Sequence, residues 1–415
     1  KYFYISLFSL SLAGTLVSCN DFLDKAPLSS IVPEGYFKNA DQVVAYVNEM
    51  YDRVMPKYGG NSYGLYETDK DTDNQIKADA VPPKYDEDVW KVGQSGGAWS
   101  FETIYRCNYF FSMVNSRFGE KLDGSENTIE GELASIRHSI GEMYVMRALT
   151  YFGLYQAFGD YPIITEPLAD DMFILTEASR RSPRNEVARF MLSDLDKAVE
   201  LLNGKDLETT RINHDVALLI KSRIALFEGS WLKNFKGTAF VPNGEGWPGK
   251  SKDYNANYQY PSGSIDNEIQ WFLEQAVTAS KEVAEKYKGS LTTNTGVFPQ
   301  GDSEPNNPLY DLYVSTDLSS YSEVLLWRRY ASALEMHGIP IAANTGNNGV
   351  GVSRSYVQNF LMADGLPVYA HGTYTDGDSY YMGDKSIADV RVNRDTRLSV
   401  FLQEPGPVSY THLRA

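Results

Sequence analysis

The pentapeptide Gly93-Gln94-Ser95-Gly96-Gly97 has the spacing of a serine-hydrolase nucleophile. That chemistry needs a strand before the serine and a helix after it, so that a strained turn exposes the hydroxyl. The preceding residues, 86–92, make a poor strand, and none of the five histidines has an evident partner in the sequence. The pattern therefore predicts a flexible glycine loop, and an esterase or glycosidase is the alternative.

A second stretch, Asp69-Lys70-Asp71-Thr72-Asp73, has the alternating carboxylates that begin a calcium-binding loop. An EF-hand needs glycine at its sixth position and glutamate at its twelfth, whereas this chain has Asn74 and Ala80 there. An EF-hand is excluded, and two alternatives stay open: a looser calcium site or a solvated acidic loop. The sequence contains no HExxH motif or paired-cysteine cluster, so we expect no catalytic zinc and no other cofactor.

Aromatic side chains are abundant, at 13% of residues with 29 tyrosines and six tryptophans. Such rings stack on the apolar faces of sugars, while neighbouring carboxylates, amides and arginines hydrogen-bond the hydroxyls. Two groups in polar segments are therefore candidate glycan-binding residues. The first group is Tyr58, Tyr63, Tyr66, Asp69, Asn74, Trp90 and Trp99, and the second is Trp247, Tyr254, Tyr258 and Tyr260. For each tryptophan, core packing or loop anchoring is the alternative role.

Apolar residues recur at three- and four-residue steps through the first two-thirds of the chain, which is typical of amphipathic helices. Predicted helices cover 43–54, 101–114, 136–158, 187–202, 216–231 and 269–287. The third ends at Gly159-Asp160-Tyr161-Pro162. Ser182 and Pro183 are predicted to be the N-cap and first residue of the fourth helix, and Asn213 to cap the fifth.

Consecutive helices of this length each carry an apolar face that they cannot bury alone. The fourth and fifth should form an antiparallel hairpin, and stacked pairs of this kind build tetratricopeptide-like solenoids. We therefore predict a mainly α fold, built as an irregular tetratricopeptide-like solenoid of helical pairs. Long loop insertions are predicted at 57–98, 233–264, 289–320 and 338–386. Loops this long are unusual unless they bind something, and a rigid scaffold can present them.

Glu142 and Arg147 in the third predicted helix are five residues apart, which is too far for the ideal helical ion pair. Each is therefore predicted to tie this helix to a neighbouring one. Gly141 and Gly153 are predicted to allow close helix approach, and Gly159 with Asp160 to form the turn that follows.

The chain begins with Lys1, a mostly apolar stretch over 2–18 and then Cys19. A cationic start, an apolar segment and a small residue before the cysteine are typical of a bacterial lipoprotein signal peptide. Residues 1–18 are therefore predicted to be removed, leaving a lipidated Cys19 as the membrane anchor. A single transmembrane helix is the alternative. With Cys19 lipidated, Cys107 has no disulfide partner in the chain and is predicted to be a buried thiol.

The formal net charge of the chain is −16. A negative charge of this size repels nucleic acid and anionic lipid headgroups, so the composition excludes a nucleic-acid-binding function. A neutral or cationic ligand fits this charge better.

Segments spread along the chain match the pattern of one family in the same order. They include Cys19–Asp24 after the signal, Gly141–Phe152 running into Phe158–Pro162, and Arg394–Leu398. The Gly-Glu…Arg-Ala…Phe-Gly-Asp…Pro pattern of 141–162 is the most specific of them. On these motifs the chain resembles the SusD/RagB-like outer-membrane lipoproteins of Bacteroidetes over essentially 16–402.

The resemblance implies a cell-surface lipoprotein held in the outer membrane through Cys19. It would bind an oligo- or polysaccharide and deliver it to a SusC-like TonB-dependent transporter, without catalysis. Ligand-contacting aromatics in the family often come from the region of the first candidate group. The family's late helix is absent before Ala415. We therefore expect one SusD-like domain over 19–407, incomplete at its C-terminus, and a non-native tail at 408–415.

Two other functions stay open at this point. One is a lipid-anchored surface glycosidase or esterase, because two suitably placed carboxylates suffice for glycoside hydrolysis and the chain has 54 acidic residues from which a pair could arise by chance. The other is a structural partner of the transporter that binds no ligand of its own. Release of new reducing ends from a polysaccharide would favour the enzyme, and the absence of any bound glycan would favour the structural partner.

Overall fold

The computed structural model describes residues 36–57, 69, 72–77, 100–204, 207–296, 306–331, 350–371 and 380–402. Within these ranges the chain forms eleven α-helices and one two-stranded antiparallel ribbon. The helices are α1 (Ala40–Val54), α2 (Glu102–Phe118), α3 (Leu133–Phe158), α4 (Met172–Ala178), α5 (Arg184–Leu201), α6 (His214–Asn234), α7 (Ile265–Tyr287), α8 (Pro308–Val314), α9 (Arg354–Gln358), α10 (Ile387–Arg391) and α11 (Leu398–Phe401). Short 3₁₀ turns cover Pro248–Ser251, Asp253–Asn255 and Val368–His371, and the strands are β1 (Gln75–Lys77) and β2 (Val350–Val352). The prediction of a mainly α fold is confirmed.

The six helices predicted from apolar periodicity are all confirmed, as α1, α2, α3, α5, α6 and α7. Asn213 caps α6 as predicted, since its side chain accepts a hydrogen bond from the Val216 N–H at 3.1 Å. The start of α5 differs by one residue: Pro183 is the N-cap rather than the first helical residue, because its ψ of 144° is extended. No helix in the described ranges is both long and apolar enough to cross a bilayer.

Neighbouring helices pack side by side around one large hydrophobic core. The central helix α3 packs against α1, α2 and α5, while α5 packs on α6 and α6 on α7. The predicted antiparallel hairpin of α5 and α6 is confirmed, because Arg184 at the start of α5 lies 2.9 Å from Glu228 near the end of α6. A smaller cluster of Met362, Val368 and Tyr381 lies in the residues after β2.

Buried carboxylates tie these helices together. From α3, Arg147 donates two hydrogen bonds of 2.7 Å to Asp194 on α5. On the same helix, Glu142 accepts one of 2.9 Å from Arg211, which precedes α6. The prediction that Glu142 and Arg147 bind different neighbours is therefore confirmed. Burial alone would lower the pKa of Arg147, but the Asp194 carboxylate outweighs it and raises that pKa, so the guanidinium stays protonated.

Two further pairs extend the same arrangement. Arg184 on α5 donates to Glu228 on α6 from Nε at 3.0 Å, and Arg189 on α5 donates to Glu268 on α7 at 2.7 and 2.9 Å. In all four pairs the carboxylate side chain is 0–1% exposed. We call them the four inter-helix ion pairs: Arg147–Asp194, Arg211–Glu142, Arg184–Glu228 and Arg189–Glu268.

Cys107 is fully buried on α2, as predicted. Burial raises the pKa of its thiol to about 12, so the thiolate that would react with oxidants or metals is not formed near neutral pH.

The glycines of α3 have different surroundings. A Cβ on Gly141 would lie 2.8 Å from the Leu202 Cγ atom, so the predicted close approach of α3 to the end of α5 is confirmed. At Gly153 the prediction is wrong, because such a Cβ would have no atom of the described residues within 4 Å apart from its chain neighbours and the backbone of its own helix. The predicted turn is formed at Gly159, whose φ of 69° favours glycine.

We expect opposite effects from alanine at these two helical glycines. Gly141→Ala forces Leu202 to move and should lower the free energy of unfolding by about 1–3 kcal/mol. Gly153→Ala should raise it by about 0.5–1 kcal/mol, because alanine has less backbone entropy to lose. Urea unfolding of both variants checks this, and equal shifts of the midpoint would contradict the packing at Gly141.

Candidate functional site

The structure describes only part of the first predicted group. Tyr58, Tyr63, Tyr66, Trp90 and Trp99 lie outside the described residues, as do Cys19 and Gly93–Gly97. Their predicted roles stay predictions. Asp69 and Asn74 are described, and they flank a turn in which the Thr72 N–H and hydroxyl donate to the Asp69 carbonyl at 3.2 and 2.6 Å.

The strand after this turn joins the first loop to residues 350–371 and 380–402, which we call the C-terminal lobe. Strand β1 pairs with β2, with Gln75 opposite Val352. Beyond the ribbon, the Ser353 N–H donates to the Asn74 carbonyl at 2.8 Å, and the Ser355 hydroxyl donates to the Asp73 carbonyl at 2.8 Å. Two segments about 280 residues apart in sequence are thereby held side by side.

A cavity of about 480 Å³ opens beside the ribbon in the C-terminal lobe. Its volume lies within the roughly 300–1,000 Å³ that is typical of small-molecule sites. The lining consists of Ser353, Arg354, Gln358, Asp384 and Arg394, together with Val352, Val357, Val390, Leu402 and Tyr381. Polar and apolar side chains therefore face the same space, as a sugar ring with its hydroxyls requires.

The charged groups of this cavity are already oriented by one another. Arg354 forms an ion pair with Asp384, which also accepts a hydrogen bond from the Tyr381 hydroxyl. Burial and the neighbouring Asp384 raise the pKa of Tyr381, so its phenol stays protonated and remains a donor. Arg394 donates from Nη2 to the Val357 and Phe360 carbonyls at 2.7 Å each. Burial lowers the pKa of Arg394.

An exposed aromatic ring lies in the same lobe. Tyr369, on the 3₁₀ turn Val368–His371, is 79% exposed. The sequence places it in the predicted loop 338–386, but no motif distinguishes it from the other tyrosines there. Arg354 and Asp384 were also missed, because their proximity arises only in the folded lobe.

The second predicted group forms a packed cluster rather than an open surface. Trp247, Tyr258 and Tyr260 are 4–8% exposed. The ring centroids of Trp247 and Tyr258 are 5.8 Å apart, and those of Tyr258 and Tyr260 are 5.4 Å apart. The fourth member, Tyr254, is 37% exposed and lies under the Arg180 guanidinium.

The polar atoms of this cluster are bound within the protein. The Trp247 indole N–H donates to Asp160 at 2.8 Å, and the Tyr258 hydroxyl donates to Asn185 at 2.7 Å. Asp160 also accepts from the Arg184 N–H at 2.9 Å. Burial raises the pKa of Asp160, and these two donors oppose that rise. The structure thus corrects the expectation of a stacking surface at Trp247, Tyr258 and Tyr260. These rings are buried and stabilise the conformation of the loop, so they have no exposed face on which a sugar could stack.

The structure gives no further support to a calcium site in the acidic stretch Asp69–Asp73. Among the described residues, no three histidine, cysteine, aspartate or glutamate side chains are grouped as a metal site would require. Asp71 lies outside them. Calcium binding at Asp69–Asp73 therefore stays an untested prediction.

The fold defines a class: a scaffold of packed helical pairs that carries long loops. A family model described as "Starch-binding associating with outer membrane" matches residues 21–226. The chain is 23% identical over 240 residues to SusD-like protein P2 of Formosa agariphila, covering 56% of this chain and 44% of P2. It is 22% identical over 307 residues to SusD-like protein P25 of the same organism, covering 70% and 55%.

The same fold occurs in a solved structure. A SusD-like protein from Bacteroides fragilis superposes with a TM-score of 0.52 at 19% identity, covering 90% of this chain and 62% of that one. The chain thus matches the SusD-like family model over residues 21–226, just under half of its length, and it has the fold of a SusD-like protein. It spans about half the length of the curated relatives it matches.

Proposed function

We propose that this chain is a non-enzymatic lipoprotein of the cell surface that binds an oligo- or polysaccharide and delivers it to a SusC-like TonB-dependent transporter. The observation that carries the proposal is the cavity of about 480 Å³ beside the β1–β2 ribbon, at the junction of the first loop and the C-terminal lobe. The description of the matching family model, which names starch binding and the outer membrane, supports it.

In this proposal the ligand is bound by hydrogen bonds and stacking. The Arg354 guanidinium and the Asp384 carboxylate bind sugar hydroxyls, and the valines of the cavity contact the apolar face of the ring. The exposed Tyr369 ring stacks on a neighbouring sugar unit. Trp90 of the first group is the further stacking residue that the sequence predicts.

Arg354→Ala is the sharpest test of this binding mode. A hydrogen bond to a charged group contributes about 1.5–3 kcal/mol, so the dissociation constant for the bound polysaccharide should rise by about 10- to 100-fold. Affinity electrophoresis against a panel of polysaccharides, followed by titration with the one that retards the protein, measures this. Tyr369→Ala and Trp90→Ala should weaken the same interaction.

Arg397→Ala is the matched control. Arg397 lies in the same lobe, its side chain is 62% exposed, and among the carboxylates of the described residues it pairs only with Asp395, two residues before it. Its affinity should equal that of the unmodified chain. Equal affinity of Arg354→Ala and Arg397→Ala would refute the cavity as the site. New reducing ends released from the polysaccharide would refute a purely binding role and favour the glycosidase.

The membrane attachment in this proposal depends on Cys19. Acylation at this cysteine would attach the protein through two or more lipid chains, and that number of chains anchors a protein stably in a bilayer. Mass spectrometry of the N-terminal peptide from a membrane fraction should show an acylated Cys19 as the first residue. An unmodified thiol there would exclude the lipoprotein assignment.

A further inference from the structure

Arg394, in the C-terminal lobe, is a buried arginine without an acidic partner. Three arginines of the described residues are 4% exposed, namely Arg147, Arg184 and Arg394. The first two belong to the four inter-helix ion pairs. Arg394 forms no ion pair with any carboxylate in the described part of the chain. Because buried charges in proteins are normally paired, this exception needs a physical explanation.

The groups that bind Arg394 carry no net charge. Its Nη2 atom donates to the Val357 and Phe360 carbonyls, and its Nη1 atom donates to the Val390 carbonyl at 3.4 Å. The Nε atom has no hydrogen-bond partner among the described residues. Burial lowers the pKa of Arg394, whereas carboxylate partners raise the pKa of the other two arginines in spite of their burial. The carbonyl dipoles therefore stabilise this guanidinium less than a carboxylate would.

Arg394 lines the cavity of about 480 Å³ beside the β1–β2 ribbon. The charged lining consists of two arginines and one aspartate, so its side chains carry one net positive charge. The single carboxylate, Asp384, is already bound by Arg354 and by the Tyr381 hydroxyl. Gln358 lines the same cavity, and its side-chain amide nitrogen has no acceptor among the described residues. The cavity therefore has donors and positive charge in excess, and it lacks an anionic acceptor.

The charge of the cavity differs in sign from the charge of the chain. The net charge of −16 by itself favours a neutral or cationic ligand. Exposed charges are screened beyond a Debye length of about 8 Å at physiological ionic strength, whereas partly buried charges are screened much less. The two carboxylates whose charges act on Arg394 besides the chain average, Asp384 and Asp395, are paired with Arg354 and Arg397. The local positive charge therefore determines which ligand the cavity favours.

We propose that the ligand of this cavity is a saccharide with an anionic substituent, a uronate carboxylate or a sulfate ester, and that this substituent binds beside Arg394. The inference rests on the proposed function, because it names the class of saccharide that the same cavity binds. A volume of about 480 Å³ is far more than a single inorganic anion fills, so the cavity has room for the sugar ring as well. The valines of the lining contact the apolar face of that ring.

The direct test uses the unmodified chain and matched pairs of polymers. Isothermal titration calorimetry compares polygalacturonate, alginate and glucuronoxylan with the same polymers after chemical reduction of their carboxyl groups. Dextran sulfate and dextran form the second arm. The acidic form of at least one pair should bind about 10-fold or more tightly than its neutral form, as expected for a hydrogen bond to a charged group. The preference should decrease as salt is added, and the arm in which it occurs identifies the carboxylate or the sulfate.

Substitutions at Arg394 assign the preference to this residue. Arg394→Gln removes the charge and keeps a donor for the carbonyls, so the ratio of the neutral to the acidic dissociation constant should fall to about 1. Arg394→Lys keeps the charge and should keep a preference for the acidic form. The ratio is the readout because partial unfolding of the lobe lowers both affinities alike. Arg397→Ala is the control and should keep the full preference, since Arg397 is exposed and paired with Asp395.

Failure of this inference and failure of the proposed function give different results. Equal or tighter binding of the neutral form in every pair would overturn the anionic ligand and leave saccharide binding intact. An unchanged ratio in Arg394→Gln would do the same for the role of this arginine. If Arg394→Gln does not fold, the paired polymers on the unmodified chain still decide the question. Binding of no polymer, acidic or neutral, would refute the proposed function together with the inference.

Discussion

Asp194→Ala is expected to lower the free energy of unfolding by about 3–5 kcal/mol, because it leaves a buried guanidinium without its counter-charge. The Arg147 side chain is 5% exposed, and both of its hydrogen bonds to Asp194 are lost in the variant. The remaining acceptor is the Asn108 amide oxygen at 2.9 Å, which carries no net charge. Urea unfolding followed by tryptophan fluorescence gives the size of the loss.

The neighbouring Asp196 supplies the control. It lies on the same helix and pairs with Lys221 at 2.5 Å, but its side chain is 59% exposed. Exposed pairs contribute about 0–1 kcal/mol, so Asp196→Ala should change stability by no more than that. If the two variants lost equal stability, the large effect assigned to the buried pair would be disproved.

Trp247→Ala should also destabilise the chain by about 3–5 kcal/mol, as expected for truncation of a large buried aromatic side chain. The variant loses the contacts with Tyr258 and leaves the half-buried Asp160 without its indole donor. Thermal and urea unfolding measure the loss. Polysaccharide affinity per folded molecule should stay unchanged, since the indole has no free face.

Tyr254→Ala is the matched variant in the same segment. Tyr254 is 37% exposed, so its removal should change the free energy of unfolding by about 0.5 kcal/mol or less. A Trp247→Ala protein that kept its stability but lost polysaccharide binding would restore the ligand role that the sequence suggested for this tryptophan.

The long helices were predictable because their apolar spacing repeats over several turns. Helix α7, for example, buries Phe272, Ala276, Ala279 and Val283 on one face. Such a stripe can be recognised in the sequence without knowing which helix packs against it. Helices such as α4, with seven residues, are too short for a stripe to emerge. Helix α4 was therefore not predicted.

Spacing alone also excluded a pair between Glu142 and Arg147 and so predicted partners on other helices. It could not identify Asp194 and Arg211, which are 47 and 69 residues away in sequence. The candidate cavity was beyond prediction for the same reason. The residues that line it are spread over 352–402, and a strand of three residues such as β2 leaves almost no pattern in a sequence.

The predicted ring of Trp247 is buried, whereas the exposed ring of Tyr369 was not among the predicted residues. Abundance of rings in a polar segment does not tell an exposed ring from a buried one, because both occur in loops. Trp247 has a carboxylate acceptor on a distant turn, whereas Tyr369 is open to solvent. Only the path of the backbone decides between these roles.

The four inter-helix ion pairs bear on how the scaffold comes apart. A simple solenoid is bonded only between adjacent repeats and can fray from one end. Here Arg189 on α5 pairs with Glu268 on α7, so separating α7 from α5 would leave the fully buried Glu268 carboxylate without its cation. Melting should then be all-or-none across α3, α5, α6 and α7, because none of these helices can separate from the others without leaving a buried charge unpaired.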